Sequence, residues 1–492
     1  MPSLRHDTRA AALLDLFSLF AGRVGGILVT LFFIPQYNRL LGAEAFGAVA
    51  IVLSLQAFFL VSDLGLATLV SRDTAIAQGD PDALTAAVWT RRRAEALLWV
   101  LAGSVAGSAV LLALIGAPWS IGEGANAAMI AALIAVLVAT NMVQLSLNAL
   151  GLYRVGAAAA VVGAVARGGA TVLMLQGAPS LQAFLQVQLV VAALHFLAVR
   201  RLLERRCRPL TRREPLLGRD ALADLLRRCV PLTIYTLASA AAVNLDKSIV
   251  SAFISLEAAG AYFLATTYAL VPVAVLSGPI NSYFTPRVAH TRHAGDPAAE
   301  RRLGAVFQIV LICAVVGPSL SLMFEMERWL RLWLDGSADV ATVLLVAPIL
   351  LAGGSLYATA YYPASYLVAA EDNRFLAKLS LVTGVAVLAL AMGFAWLGQV
   401  RAVAWSYFGF YAVGFAALWA RMGQLTGRAA VTVFLLRDTL LPGALIAAGY
   451  AVGSFLLDGA PFLLGLLGPA ALGAALGASV LAGVLRVPPT RA

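Results

Sequence analysis

Six charged side chains stand out inside the apolar segments of this 492-residue chain. They are the basic residues Arg23, Arg167 and Lys247 and the acidic residues Asp15, Asp63 and Asp246. A charge at the centre of a bilayer costs roughly 2.5–3.5 kcal/mol even on the mildest scale, so each charge calls for a specific role. Guanidinium and ammonium groups bind phosphates and carboxylates through charge-assisted hydrogen bonds. The three basic residues therefore predict an anion-binding site.

The three acidic residues predict a different role. Asp15 lies near the inner boundary of its apolar segment, where its carboxylate can reach water. Asp63 and Asp246 lie deeper, and a carboxylate there either binds a coupling ion or pairs with a basic side chain. For every charged residue in these segments, a purely structural pairing is the alternative to a role in binding.

Segment 230–254 is the most polar of the apolar segments, and it contains Asn244, Asp246 and Lys247. Its hydroxyl and amide groups would lack partners in lipid, so the segment is predicted to face a water-filled cavity or, as the alternative, another helix. Asn244 accordingly joins the predicted substrate-binding residues. Adjacent side chains on a helix point about 100° apart, so Asp246 and Lys247 are predicted not to pair with each other.

The elements that position these residues are predicted from composition. The chain is 61% hydrophobic and only 12% charged, whereas a soluble protein has about 25% charged residues. Apolar runs of about 20 residues recur along it, each long enough to span a bilayer as a helix. We predict an all-α polytopic membrane protein with about fourteen transmembrane helices, at 12–36, 46–71, 94–117, 125–150, 155–176, 180–199, 230–254, 258–285, 305–324, 341–368, 376–396, 400–420, 438–457 and 461–485.

The distribution of arginine predicts orientation. Ten arginines lie within 200–228, and Arg91, Arg92 and Arg93 follow the second segment, while alternate loops carry few basic residues. Because basic residues concentrate on the cytoplasmic side, both termini are predicted to be cytoplasmic. The net charge of +10 thus reflects orientation, and no nucleic-acid partner is predicted.

The order of the segments predicts an internal repeat. Residues 200–228 form a basic cytoplasmic linker with an amphipathic helix, which separates a six-helix lobe at 1–199 from another at 229–420. The sequence "LLGAEAFGAVAIVLSLQAF" at 40–58 aligns with "FISLEAAGAYFLATTYALV" at 253–271. Such repeats of an even number of helices are typical of transporters that work by alternating access. Residues 421–492 carry two additional helices, 13 and 14.

Signatures of enzymes are missing from the sequence. It contains no P-loop and no zinc-ligand spacing, so no cofactor or metal is predicted. His195 is interpreted as a satisfied interface residue. The longest predicted outer loop, 325–340, is too short for a catalytic domain. We predict a secondary-type transporter driven by an ion gradient, or by consumption of its substrate on the far side.

Four stretches carry a resemblance to a known family. They are "LLGAEAFGAVAIVLSLQAFFLVSDLGLATLVSR", "NLDKSIVSAFISLEAAGAYFLATTYAL", "RWLRLWL" and "YLVAAEDNRFLAKLSL". They resemble bacterial polysaccharide transporters, the O-antigen and exopolysaccharide flippases of the multidrug/oligosaccharidyl-lipid/polysaccharide exporter (MOP) superfamily. The resemblance covers roughly residues 10–420.

This resemblance implies a fold and a substrate. It implies two six-helix lobes in a V-shaped arrangement and a polyprenyl-diphosphate-linked oligosaccharide, an intermediate of lipopolysaccharide or exopolysaccharide synthesis, crossing the bacterial inner membrane. Arg23, Arg167 and Lys247 would then contact the diphosphate or acidic sugars, while Asp63 and Asp246 would serve a coupling H⁺ or Na⁺. The implied partners are membrane lipids and the polysaccharide polymerase machinery. A multidrug or cation antiporter and a lipid II flippase of the same superfamily are the alternatives.

Overall fold

The structure is a computed structural model. It describes residues 8–62, 66–77, 80–114, 121–206, 240–334 and 340–456, together with the single residues 223, 225, 227 and 237. All regular elements in these ranges are helices. Eleven of them are long and apolar enough to cross a membrane, which confirms an all-α polytopic membrane protein.

The eleven helices coincide with eleven of the fourteen predicted ones. Of the other three predicted helices, 94–117 falls on Pro81–Leu114, which is helical but not among the eleven. Segment 230–254 is described from residue 240 onwards and at residue 237, and segment 461–485 lies outside the described residues. The number fourteen therefore stays a prediction.

The chain divides into two compact units, residues 1–248 and 249–492. The helices of the N-terminal unit are α1 (Thr8–Leu41), α2 (Ala43–Ser62), α3 (Leu66–Ile76), α4 (Pro81–Leu114), α5 (Ile121–Ala149), α6 (Tyr153–Gly177) and α7 (Leu181–Arg206). Helix α8 (Asp246–Phe253) begins at the end of this unit and continues into the next. Most of the predicted linker, 200–228, lies outside the described residues.

The C-terminal unit is built from the helices that follow. They are α9 (Leu256–His293), α10 (Pro297–Leu311), α11 (Gly317–Phe324), α12 (Met326–Leu334), α13 (Val340–Ala358), α14 (Tyr361–Ala369), α15 (Asn373–Trp396), α16 (Val400–Thr426), α17 (Arg428–Phe434) and α18 (Leu441–Leu456). Two π-helical turns, Ile312–Val316 and Leu435–Leu440, connect α10 to α11 and α17 to α18.

Local sequence sets several of the helix boundaries. Gly42 separates α1 from α2 with a φ of 76°, a backbone conformation that favours glycine. The side chain of Ser255 caps α9 by accepting a hydrogen bond from the backbone N–H of Ala258. Asp296 caps α10 in the same way, and Pro297 occupies the first helical position, where no N–H is needed.

Helix α18, which corresponds to the predicted helix 13, packs against other helices of the C-terminal unit. Ile446 and Tyr450 form a buried cluster with Ile312 of the first π-helical turn. Ser454 Oγ also donates a hydrogen bond of 2.6 Å to Glu325 Oε1. The additional helix is therefore fixed to this unit by both apolar packing and a polar contact.

Candidate functional site

A cavity of about 190 Å³ with a partly polar lining lies within the N-terminal unit. Its polar lining comes from Thr140, Asn141 and Gln144 on α5, Arg167 on α6 and His195 on α7. The remaining lining residues are apolar or glycine: Leu60, Leu137, Ala160, Gly163, Ala164, Val191 and Ala192. The lining positions on α5 and on α6 recur every three or four residues, which places them on one face of each helix.

Arg167 extends from α6 into this cavity. Among the described residues, no carboxylate lies within 4.0 Å of its guanidinium. The backbone carbonyl of Arg167 accepts a hydrogen bond of 2.7 Å from Thr171 Oγ1, which in turn accepts one of 3.0 Å from Gln188 Nε2. The hydroxyl of Tyr37 also hydrogen-bonds to Thr171. The backbone around Arg167 is thus held by three helices, whereas its charge meets no opposite charge in the described part.

His195 lines the same cavity with only one of its ring nitrogens bonded. The imidazole hydrogen-bonds to the carbonyl of Ala159, while the buried Nε2 has no partner among the described residues. Within the described part of the chain, His195 is therefore not fully satisfied as the sequence interpretation expected.

Gly163 holds the ring of His195 in place by close approach. A Cβ atom built on Gly163 would lie 2.2 Å from Cε1 and 2.5 Å from Nδ1 of that ring. No side chain fits at this position without moving the imidazole. The sequence signal for this contact is weak, because a glycine in a membrane helix has many possible roles.

Replacing Gly163 with alanine is expected to displace the His195 ring and lower the free energy of unfolding by about 1–3 kcal/mol, as overpacking does. Gly169→Ala is the matched control, since Gly169 lies on the same helix and a Cβ there meets nothing within 4 Å. That control should be neutral or stabilise by about 0.5–1 kcal/mol, because alanine favours helix. Thermal unfolding of the purified protein in detergent measures both, and equal stability of the two variants would contradict the packing shown here.

The prediction that Asp246 and Lys247 do not pair is wrong. Lys247 Nζ lies 2.8 Å from Asp246 Oδ1, and both side chains are buried. The helix is interrupted at Leu245 and α8 begins at Asp246. The four-carbon side chain of Lys247 turns back, also reaching the carbonyl of Val243 at 3.4 Å. The angle of about 100° between adjacent residues on a helix therefore does not prevent the long, flexible side chain of Lys247 from reaching the short side chain of Asp246.

The other predicted site residues fall into two groups. Asn244 is described, and its Nδ2 donates a hydrogen bond of 3.0 Å to the carbonyl of Ala240 on its own helix. The backbones of Arg23 and Asp15 lie in α1, but their side chains lie outside the described part, and so does the whole of Asp63. The structure therefore brings Arg167 together with His195, Thr140, Asn141 and Gln144. The last three were missed, although "TNMVQ" in an otherwise apolar segment was the available signal.

A second cleft, of about 820 Å³, lies in the C-terminal unit. It is formed where α9, α13 and α16 begin, and its polar lining includes Glu257, Gln399 and Arg401 beside the exposed ring of Trp405. Tryptophan prefers the interface between membrane and water, which indicates that this cleft lies near that interface and not at the membrane centre. In the described ranges of either unit, no group of three His, Cys, Asp or Glu residues is arranged to hold a metal ion.

Residues 38–330 match the family model described as "Polysaccharide biosynthesis protein". No curated protein matches the chain.

Solved structures share the fold at low sequence identity. The lipid II flippase MurJ in an inward closed conformation superposes with a TM-score of 0.72 at 12% identity, covering 96% of this chain and 99% of MurJ. A multidrug resistance MATE family transporter of the MOP superfamily, inward-facing, gives a TM-score of 0.59 at 14% identity, covering 85% and 95%. A MOP superfamily transporter from Pyrococcus furiosus, described as having a binding pocket of reverse polarity, gives 0.55 at 14%, covering 87% and 99%.

Proposed function

The chain belongs to the polysaccharide biosynthesis protein family, and from this premise we propose that it is a flippase for a polyprenyl-diphosphate-linked oligosaccharide. It would turn the repeat unit of a surface polysaccharide from the inner to the outer leaflet of the bacterial inner membrane by alternating access. The observation that carries the proposal is Arg167, a cation inside apolar helices whose guanidinium meets no carboxylate among the described residues. A buried guanidinium that meets no carboxylate in the described ranges is suited to a phosphate group.

The proposed roles of the individual residues follow from their surroundings. Arg167 and Arg23 are assigned to the diphosphate or to acidic sugars. Lys247 is a weaker candidate because its charge is neutralised by Asp246 at 2.8 Å. Asp63 and Asp246 remain candidates for a coupling H⁺ or Na⁺, with both termini in the cytoplasm and the polymerase machinery as the partner that receives the product.

A multidrug or cation antiporter is disfavoured by the charge of the cavity. Such a transporter needs carboxylates to attract its cationic ligand. The described lining of the N-terminal cavity contains Arg167 and His195 and no acidic residue.

Lipid II flipping is the second candidate function. The superposition on MurJ, described as a lipid II flippase, extends over 96% of this chain, and this shared fold supports lipid II as the alternative substrate. Both substrates carry a diphosphate on a polyprenyl chain, and they differ in the sugars that follow.

Complementation in the source bacterium tests both candidates. A strain lacking the gene should lose its surface polysaccharide and accumulate the lipid-linked oligosaccharide, and wild type should restore export. Arg167→Gln should lower export by roughly tenfold to a hundredfold, because that factor corresponds to the free energy contributed by a hydrogen bond to a charged group. The amount of protein in the membrane should not change. Gly169→Ala serves as the control variant and should export normally. Unaltered polysaccharide in the deletion strain would contradict the proposal, and accumulation of lipid II would favour the second candidate.

A further inference from the structure

Two opposite charges line the cleft of the C-terminal unit without pairing. Glu257 lies in the first turn of α9, Arg401 is the second residue of α16, and both residues are exposed. Within the described ranges, neither side chain has an ion-pair partner within 4.0 Å. The cleft therefore offers one negative and one positive group to a ligand.

The start of a helix explains Glu257 but not Arg401. A carboxylate in the first turn of a helix is stabilised by the helix dipole, whereas a cation there is destabilised. Arg401 thus occupies its position against the preference of its own helix. This position calls for a role other than helix formation.

Other arginines at the same predicted side of the membrane are neutralised. The predicted outer loop 325–340 contains Arg328 and Arg331. Arg328 pairs with Glu325 at 3.0 Å, and Arg331 pairs with Glu327. An anionic ligand can take beside Arg401 the place that a carboxylate takes beside these two residues.

The ring of Trp405 adds a surface that suits a cation. It packs edge to face on Phe408, with ring centroids 5.2 Å apart and an interplanar angle of 76°, and 49% of the residue stays exposed. The face of an indole ring attracts ammonium groups, including quaternary ones. Leu345, which is 48% exposed, gives the same cleft an apolar wall.

We propose that this cleft binds the headgroup of a zwitterionic phospholipid. Arg401 would donate to the phosphate, while Glu257 and the face of Trp405 would hold the ammonium group. Leu345 would border the glycerol and the first methylene groups of the acyl chains. The volume of about 820 Å³ lies within the range of about 300–1,000 Å³ that small ligands occupy.

The position of the cleft agrees with a lipid as its occupant. Tryptophan prefers the layer in which phospholipid headgroups lie, so Trp405 and the headgroup share one depth in the membrane. An anionic lipid would leave Glu257 without a counterion, and a lipid with no charged headgroup would leave both charges unpaired. The predicted orientation of the helices assigns the site to the outer leaflet. The site does not depend on the proposed flippase function.

The experiment is native mass spectrometry of the full-length protein in detergent. The probes are phosphatidylethanolamine, phosphatidylglycerol and diacylglycerol with the same acyl chains. In the wild type, we expect that an excess of phosphatidylglycerol or of diacylglycerol does not displace the first bound phosphatidylethanolamine. This competition needs no variant, so it tests the proposal even where a substitution prevents folding.

Two variants separate the two charges. Arg401→Gln should weaken the binding of phosphatidylethanolamine by roughly twofold to fivefold, the effect of an ion pair that water can reach. Glu257→Gln should weaken it by a similar factor but should not weaken the binding of phosphatidylglycerol, which has no ammonium group. The double variant Glu327→Gln with Arg331→Gln is the matched control, because that exposed pair lies outside the cleft, and it should bind all three lipids as the wild type does.

The proposal is overturned by any of three results. The first is displacement of phosphatidylethanolamine from the wild type by either competing lipid. The second is unchanged binding of phosphatidylethanolamine in both Arg401→Gln and Glu257→Gln. The third is a loss in the control variant as large as the loss in Arg401→Gln, which would mean that any exposed charge of the protein has the same effect.

Discussion

Glu95→Gln is expected to lower the free energy of unfolding by about 3–5 kcal/mol, the range measured when one partner of a buried ion pair is removed. Glu95 is buried between two arginines from different helices. Its Oε1 lies 2.6 Å from Arg91 Nη1 on α4, and its Oε2 lies 3.2 Å from Arg200 Nη1 on α7. Arg91 is itself only 2% exposed. Glutamine keeps the volume of the side chain but leaves that guanidinium without its nearest charge.

Glu204→Gln is the matched control for this prediction. Glu204 belongs to the same cluster, at 3.1 Å from Arg200 Nε and 3.6 Å from Arg91 Nη2, but its side chain is 36% exposed, against 4% for Glu95. An ion pair with access to water contributes about 0–1 kcal/mol. Thermal unfolding in detergent, followed by tryptophan fluorescence, compares the two variants. If both variants lose the same free energy of unfolding, the burial of Glu95 does not determine how much its ion pairs stabilise the protein.

This cluster illustrates what the sequence could predict. The positions of eleven membrane helices follow from apolar runs of about 20 residues, because length and hydrophobicity are local properties of the chain. Arg91 was interpreted only as a marker of the cytoplasmic side. Its burial against Glu95 and Arg200 depends on how α4 packs on α7, and no local pattern specifies that packing.

The candidate site was predictable in the same limited way. Arg167 was identified from its charge inside an apolar segment, which is a property of one position. Its neighbour His195 comes from another helix, and the missing partner of its buried Nε2 among the described residues depends on how these helices pack. Thr140, Asn141 and Gln144 carry no charge, so the stretch "TNMVQ" could equally contain polar residues that satisfy themselves within a helix. The structure adds the partners, and these decide what Arg167 can bind.

Asp246→Asn is the second large effect that we expect. Asp246 is 2% exposed and Lys247 is 7% exposed, so the substitution leaves a buried ammonium group without its carboxylate. Removing one member of a buried pair costs about 3–5 kcal/mol. We expect the lower end, about 3 kcal/mol, because Lys247 Nζ keeps its contact with the carbonyl of Val243 and asparagine retains one acceptor oxygen.

The double variant Asp246→Asn with Lys247→Met decides whether this pair is a structural clasp or a working site. Methionine replaces the ammonium group with an apolar end of similar length, so no charge is left unpaired and stability should return to within about 1 kcal/mol of the wild type. If export of surface polysaccharide returns together with stability, the pair serves folding alone. If stability returns while export stays lost, one of the two charges takes part in transport. If the double variant is as unstable as Asp246→Asn, the loss of unfolding free energy comes from the asparagine itself and not from an unpaired ammonium group. The pairing at 2.8 Å would then not explain why two charges are buried side by side in an apolar segment.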